Sequence, residues 1–284
     1  MGADGAGDEA AEGVVGYQAH SVSRRSIAQV IDGASVSNTS AFIGESDYNS
    51  TLRTSLVVVS GAGSVWESSG IVVVGGALGP PITGIPVATG FGHVDVRDGG
   101  LVIAAGENGM AITAHGTLTG DRGTVEGDVT SRGLVSPGQG LGILTIDGNY
   151  TQELVVSWEP AGTLAIELGG VAAGQFDQLV VTGDVSLDGL LDVQLVPGFQ
   201  LGLNQRFDIL PVGGSLEGTF YGLAEGDPVG TFDGVDLFIT YGGPAAPGVA
   251  LYTVPEPTSF VLMFTALALF AGCVRRYRFS RRDP

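Results

Sequence analysis

The sequence predicts an all-β fold: a right-handed parallel β-solenoid with an antiparallel hairpin or sandwich-like C-terminal part, followed by a single transmembrane helix. Three observations predict it. From Leu56 to Tyr241 apolar residues alternate with period two in short runs, the pattern of strands with one buried face. Glycine supplies 48 of the 284 residues, well above the usual share of about 7%. It gathers at the ends of those runs, where corners need positive φ or close backbone approach. The last apolar run, Thr258 to Val274, is free of charge and is followed at once by arginines. An all-antiparallel sandwich is the alternative for the β region.

Taken in order, residues 1–55 form an N-terminal segment whose start, Met1 to Gly13, is acidic and rich in Gly and Ala. It has neither the basic n-region nor the apolar h-region of an export signal, so the true signal peptide is expected upstream of Met1. Residues 56–149 read as solenoid repeats. The pairs Val57/Val59, Val72/Val74, Val94/Val96, Leu101/Ile103 and Leu144/Ile146 are separated by Ser60-Gly61-Ala62-Gly63, Asp98-Gly99-Gly100 and Asp147-Gly148-Asn149. Each rung buries its apolar face only when its neighbours stack on it. Residues 150–241 read as a β-rich cap or sandwich, with Leu164/Ile166/Leu168, Leu179/Val181 and Leu191/Val193/Leu195 alternating. Within it, Val185 to Val193 around Asp188-Gly189 suits a hairpin. Pro244, Pro247, Pro255 and Pro257 make 242–257 an extended stalk.

Charge divides the chain in two. Met1 to Pro255 holds 28 acids against 7 Arg, Glu256 to Pro284 holds 2 acids against 5 Arg, and there is no Lys. Such an acidic body repels a phosphate backbone, which excludes nucleic acid as a partner. The lone Cys273 lies in the last apolar run, so no intramolecular disulfide forms. As a helix, residues 258–274 would reach roughly 25 Å, enough for a short membrane span. The basic tail 275–284, with Arg275, Arg276 and Arg278 as the stop, places the C-terminus in the cytoplasm.

The order Val254-Pro255-Glu256-Pro257, apolar span, Arg275-Arg276-Tyr277-Arg278 resembles the PEP-CTERM sorting signal of exported bacterial proteins. The resemblance covers about the last thirty residues. It implies an exosortase-type processing enzyme as partner, reading Val254, Pro255, Glu256 and Pro257, and a cell that makes extracellular polysaccharide. Ser136 to Ile146, Gly148 to Gln152 and Phe176 to Gly183 resemble autotransporter-passenger β-helices, which implies a solenoid and no particular chemistry.

No catalytic, cofactor or metal site is expected. His20, His93 and His115 lack the spacing of a zinc hydrolase. Asp184, Asp188 and Gly189 begin like a calcium loop, but the twelfth position is Leu195. Gly138, Gly140 and Gly142 form a solenoid turn rather than a phosphate loop, having neither Lys nor a following helix. Asp95 with Asp98, or Glu126 with Asp128, are paired acids of the kind a glycosidase uses, yet they read as solvated turn charges. Trp66, Trp158 and Tyr150 read as local core rather than sugar platforms. The sequence therefore points to a non-enzymatic, exported surface or matrix protein associated with polysaccharide. The alternative is a surface-displayed β-helix lyase or glycosidase, for which seven Arg and no Lys ahead of the stalk are poor equipment against uronate carboxylates.

Overall fold

Strands as short as most of those between Arg25 and Gly218 cannot bury a face alone, and they stack in parallel instead. The computed structural model describes residues 25–44, 54–76, 90–138, 140–154, 161–242 and 247–255. The first rung is β1 (Arg25–Ile31), β2 (Ser35–Asn38) and β3 (Ala41–Ile43). The second is β4 (Thr54–Ser60), β5 (Val65–Ser68) and β6 (Val72–Val74), and the third β7 (Phe91–Arg97), β8 (Leu101–Ala104) and β9 (Met110–Ile112). Then come β10 (Gly116–Thr119), β11 (Gly123–Glu126) and β12 (Val129–Ser131), followed by β13 (Leu134–Ser136), β14 (Ile143–Asp147) and β15 (Tyr150–Gln152). The sixth rung is β16 (Thr163–Leu168), β17 (Gln178–Val181) and β18 (Val185–Leu187). The seventh opens with β19 (Leu190–Leu195), continues through β20 (Arg206–Pro211) and ends in β21 (Leu216–Gly218). A last group, β22 (Pro228–Phe232), β23 (Val235–Gly242) and β24 (Pro247–Thr253), completes the described chain.

Three parallel sheets result. The first runs β1-β4-β7-β10-β13-β16-β19, the second β2-β5-β8-β11-β14-β17, the third β3-β6-β9-β12-β15-β18-β21. Register puts like on like. Val57, Val94, Leu118, Val135, Leu164 and Leu191 form one unbroken inward row in the first sheet. Val36, Trp66, Val102, Val125, Ile146 and Val181 form its counterpart in the second. These rows belong to a single hydrophobic core. At about 4.8 Å per rung, each side chain rests directly on its neighbours above and below.

The solenoid is longer than the sequence reading had it. It begins at Arg25 instead of residue 56 and passes through the segment assigned to a cap as far as Gly218. Asp188-Gly189 is not a hairpin turn. β18 and β19 lie in different sheets, and the corner's amides turn outward to the previous rung, Asp188 N to Gln152 O at 3.0 Å and Leu190 N to Gly162 O at 2.8 Å. In β8 the phase is inverted, for Val102 and Ala104 face the core while Leu101 and Ile103 are half-buried outside. A Leu-Val-Ile-Ala run offers two apolar phases, and the turn before it selects one.

Among the described residues, antiparallel strand pairing is confined to the four-stranded sheet β20-β24-β23-β22, apart from the isolated bridges Arg97–Arg122 and Leu168–Phe176. β20 lies against β17 through the parallel bridge Val181–Val212 and a bond from Gln178 Nε2 to Asp208 O at 2.8 Å. Phe207 packs edge-on against Phe176 and Phe199, joining this cap to the solenoid core. Asp233 and Gly234, both at positive φ, make the two-residue turn between β22 and β23. The expected stalk is corrected here. Residues 247–253 are strand β24, bonded on both sides, because Pro247 occupies its first position, where a missing N–H costs least. Among the described residues no helix is long and apolar enough to cross a membrane, and the expected span 258–274 lies outside them.

Candidate functional site

The corner between the second and third sheets repeats a simple unit, Gly followed by Asp, Asn or Ser and then an apolar residue. It occurs as Gly127-Asp128-Val129, Gly148-Asn149-Tyr150, Gly183-Asp184-Val185 and Gly214-Ser215-Leu216. The polar residues form a ladder. Asp128 Oδ1 accepts from Asn149 N at 2.9 Å, Asn149 Oδ1 from Asp184 N at 2.8 Å, and Asp184 Oδ1 from Ser215 N at 2.7 Å and Ser215 Oγ at 2.9 Å. The bonds to Ser215 hold the Asp184 carboxyl below its ordinary value. Beside it the glycines stack so closely that a Cβ on Gly148 would fall on the Gly127 carbonyl. The carboxylates here are spent on backbone.

Asp177 is the most constrained acid. It is buried, Oδ1 accepting from Gly142 N at 2.7 Å and Oδ2 from Glu167 N at 2.9 Å. Burial pushes its pKa up to about 7, against the opposing pull of those two amides. It thereby fixes the end of the Gly138–Gly142 turn, where Gly138 and Gly140 take positive φ. Gln152, also buried, closes the next corner with Nε2 to Gly162 O at 2.8 Å and to Leu190 O at 2.9 Å.

On the outer face of the first sheet His93, Asp95, Arg97 and Thr119 meet. Thr119 Oγ donates to Asp95 Oδ1 at 3.1 Å, so in the 2.7 Å contact with Thr119 Oγ1 the donor is His93 Nε2. Burial lowers the His93 pKa, with Asp95 opposing, which favours the neutral ring. The Thr119 proton is thus directed away from the base, opposite to an activated nucleophile. Asp95 and Thr119 are only 3% and 6% exposed.

The sequence candidates are dispersed. Asp98 faces away to Arg122, at 2.6 Å, and does not join Asp95. Asp128 belongs to the ladder. Trp66 is buried with Nε1 on Asn38 Oδ1 at 2.9 Å, and Tyr150 is fully buried, both in the core as expected. His115 sits edge-on to Phe91. Val254 and Pro255 are exposed just past β24. Glu256, Pro257, Arg275, Arg276, Arg278, Cys273, Trp158 and His20 lie outside the described residues. Among those described, no three His, Cys, Asp or Glu side chains converge as a metal site would require. The ladder, Asp177 and Gln152 were missed from sequence, although the recurring Gly-[Asp/Asn/Ser]-apolar unit was there to find the first.

No protein-family profile, curated protein or solved structure matches the chain.

Proposed function

We propose that the chain is an exported, non-enzymatic cell-surface or matrix protein of structural or adhesion type. A C-terminal PEP-CTERM-like signal sorts it, and its solenoid, wound in the usual right hand, associates with extracellular polysaccharide. The observation that supports this reading is the ladder Asp128–Asn149–Asp184–Ser215, in which polar side chains run along a corner and stiffen the rungs instead of converging on a cleft. In this reading residues 258–274 span the membrane before processing, Arg275, Arg276 and Arg278 hold the helix against being drawn through, and an exosortase-type enzyme reads Val254-Pro255-Glu256-Pro257. The protein then remains in the envelope or is released to the matrix. A surface-displayed lyase or glycosidase is the competing reading. Its best group pairs a half-buried His93 with a buried Asp95 and carries its Thr119 proton in the wrong direction.

Binding to neutral and acidic polysaccharides, measured together with release of reducing ends, separates the two. Retention without new reducing ends is expected, and catalytic release overturns the proposal. Processing is read by the mass of the surface form in cells carrying the enzyme. Wild type loses its tail there, while Glu256→Ala inserts but keeps it.

A further inference from the structure

The end of β24 fixes how far the folded cap can stand from whatever holds the tail. Thr253, 4% exposed, is locked in place: its N donates to Gln205 O at 3.0 Å, its Oγ1 to Gly202 O at 2.8 Å, and its Oγ1 accepts from Gln205 N at 2.9 Å. Four residues, Val254 to Pro257, separate it from the start of the uncharged run. Fully extended, they reach about 14 Å. Two exposed apolar side chains lie at this exit, Leu203 at 46% in the turn between Gly202 and Gln205, and Val254 at 39%. Both segments that meet there are free of charge, Val193 to Gln205 and Leu237 to Pro255, a property shared with other stretches such as Ser68 to Val94. The first charged residue after the turn is a base, Arg206, at 2.9 Å from Asp208.

We propose that this tip is a lipid-docking surface: the turn Gly202–Gln205 and Val254 rest in the headgroup region of the bilayer, with Leu203 and Val254 as the apolar contacts. The inference rests on reading 258–274 as a span. Two apolar side chains give only weak membrane affinity alone, but the tether confines them to the surface, so little intrinsic affinity suffices. Acids within the tip would be repelled by anionic lipid and would resist dehydration, so segments without them are compatible with docking.

The test uses the full chain with Cys273→Ser, carrying a single environment-sensitive fluorophore at Leu203→Cys, Phe42→Cys or Leu267→Cys. Each is reconstituted in phosphatidylcholine–phosphatidylglycerol vesicles containing brominated lipid. The proposal expects a blue shift and quenching at positions 203 and 267, and neither at 42, on the first rung. Quenching at 267 with a water-like signal at 203 overturns the docking surface while leaving the span intact. A water-like signal at 267 overturns the span and the proposal with it. Leu203→Glu, with the label moved to Val254→Cys, should lose the blue shift there, and retention of the full shift would also count against docking.

Discussion

Asp177 and Asp184 are both carboxylates that accept backbone amides, yet their titrations are displaced in opposite directions because one is buried and the other is not. The raised pKa of Asp177 means that the folded protein holds this proton when the unfolded chain has already lost it. Stability from this site is greatest below the ordinary carboxylate range and falls as pH rises towards about 7. Asp184 acts with the reverse sign, contributing above the ordinary range and losing its contribution as pH falls. Replacing Asp177 by Asn removes the titration and also points an amide NH₂ at one of the two donors. The variant should be less stable than wild type in urea melts, with a gap that narrows between pH 4 and pH 7, a window bounded by the ordinary carboxylate value and the shifted one. A constant gap would show that Asp177 does not titrate there. Gly148→Ala probes the same corner sterically and should cost about 1–3 kcal/mol in denaturation midpoint, because the Gly127 carbonyl is backbone and cannot move aside. Of these residues the sequence revealed the glycines as corners. It did not reveal Asp177, whose partners are 35 and 10 residues away and exist only once the rungs have stacked.

At the scale of elements, period-two alternation identified strands well and their partners poorly. Among the described residues the dipeptide Asp-Gly occurs at Asp32-Gly33, Asp98-Gly99, Asp147-Gly148, Asp188-Gly189 and Asp233-Gly234, and only the last closes a hairpin. The first two also take positive φ at both residues, but at Asp98-Gly99 the amides donate to Asp121 O and Arg122 O in the next rung, each at 2.8 Å. Local geometry is therefore the same, and the neighbouring rung decides what the turn does. Strand β24 was illegible for a related reason. Its prolines argue against a strand, but Pro247 opens it, Pro255 lies beyond it, and the apolar run Val249 to Leu251 has two partner strands to pair with. Thr253→Val tests how firmly its end is held. The substitution keeps the shape but leaves the Gly202 carbonyl and the Gln205 amide without the hydroxyl, for an expected loss of about 1–3 kcal/mol. Faster hydrogen exchange at Gln205 is the accompanying signature.

For the whole molecule, one core runs from the first rung into the cap, so solenoid and cap should unfold together in a single transition. Phe207 is the joint, fully buried between Phe176 and Phe199. Truncating it to Ala should cost about 3–5 kcal/mol and separate loss of the cap from loss of the rungs, visible as two steps in hydrogen exchange against urea. The architecture of stacked rungs was readable from composition and alternation, whereas the partition between rungs and cap was not, since parallel and antiparallel strands bury the same alternating residues. Strand β24 lies between β20 and β23 and leads straight to the tail. Tension entering at Thr253 acts along that strand, so the hydrogen bonds on both of its flanks are strained together rather than peeled apart one after another. In an optical trap, pulling between residue 256 and the first rung should rupture at higher force than pulling across the β22–β23 hairpin. A chain pulled through an inner strand makes the cap a mechanical clamp, strongest against force that enters at its C-terminal end and runs along β24.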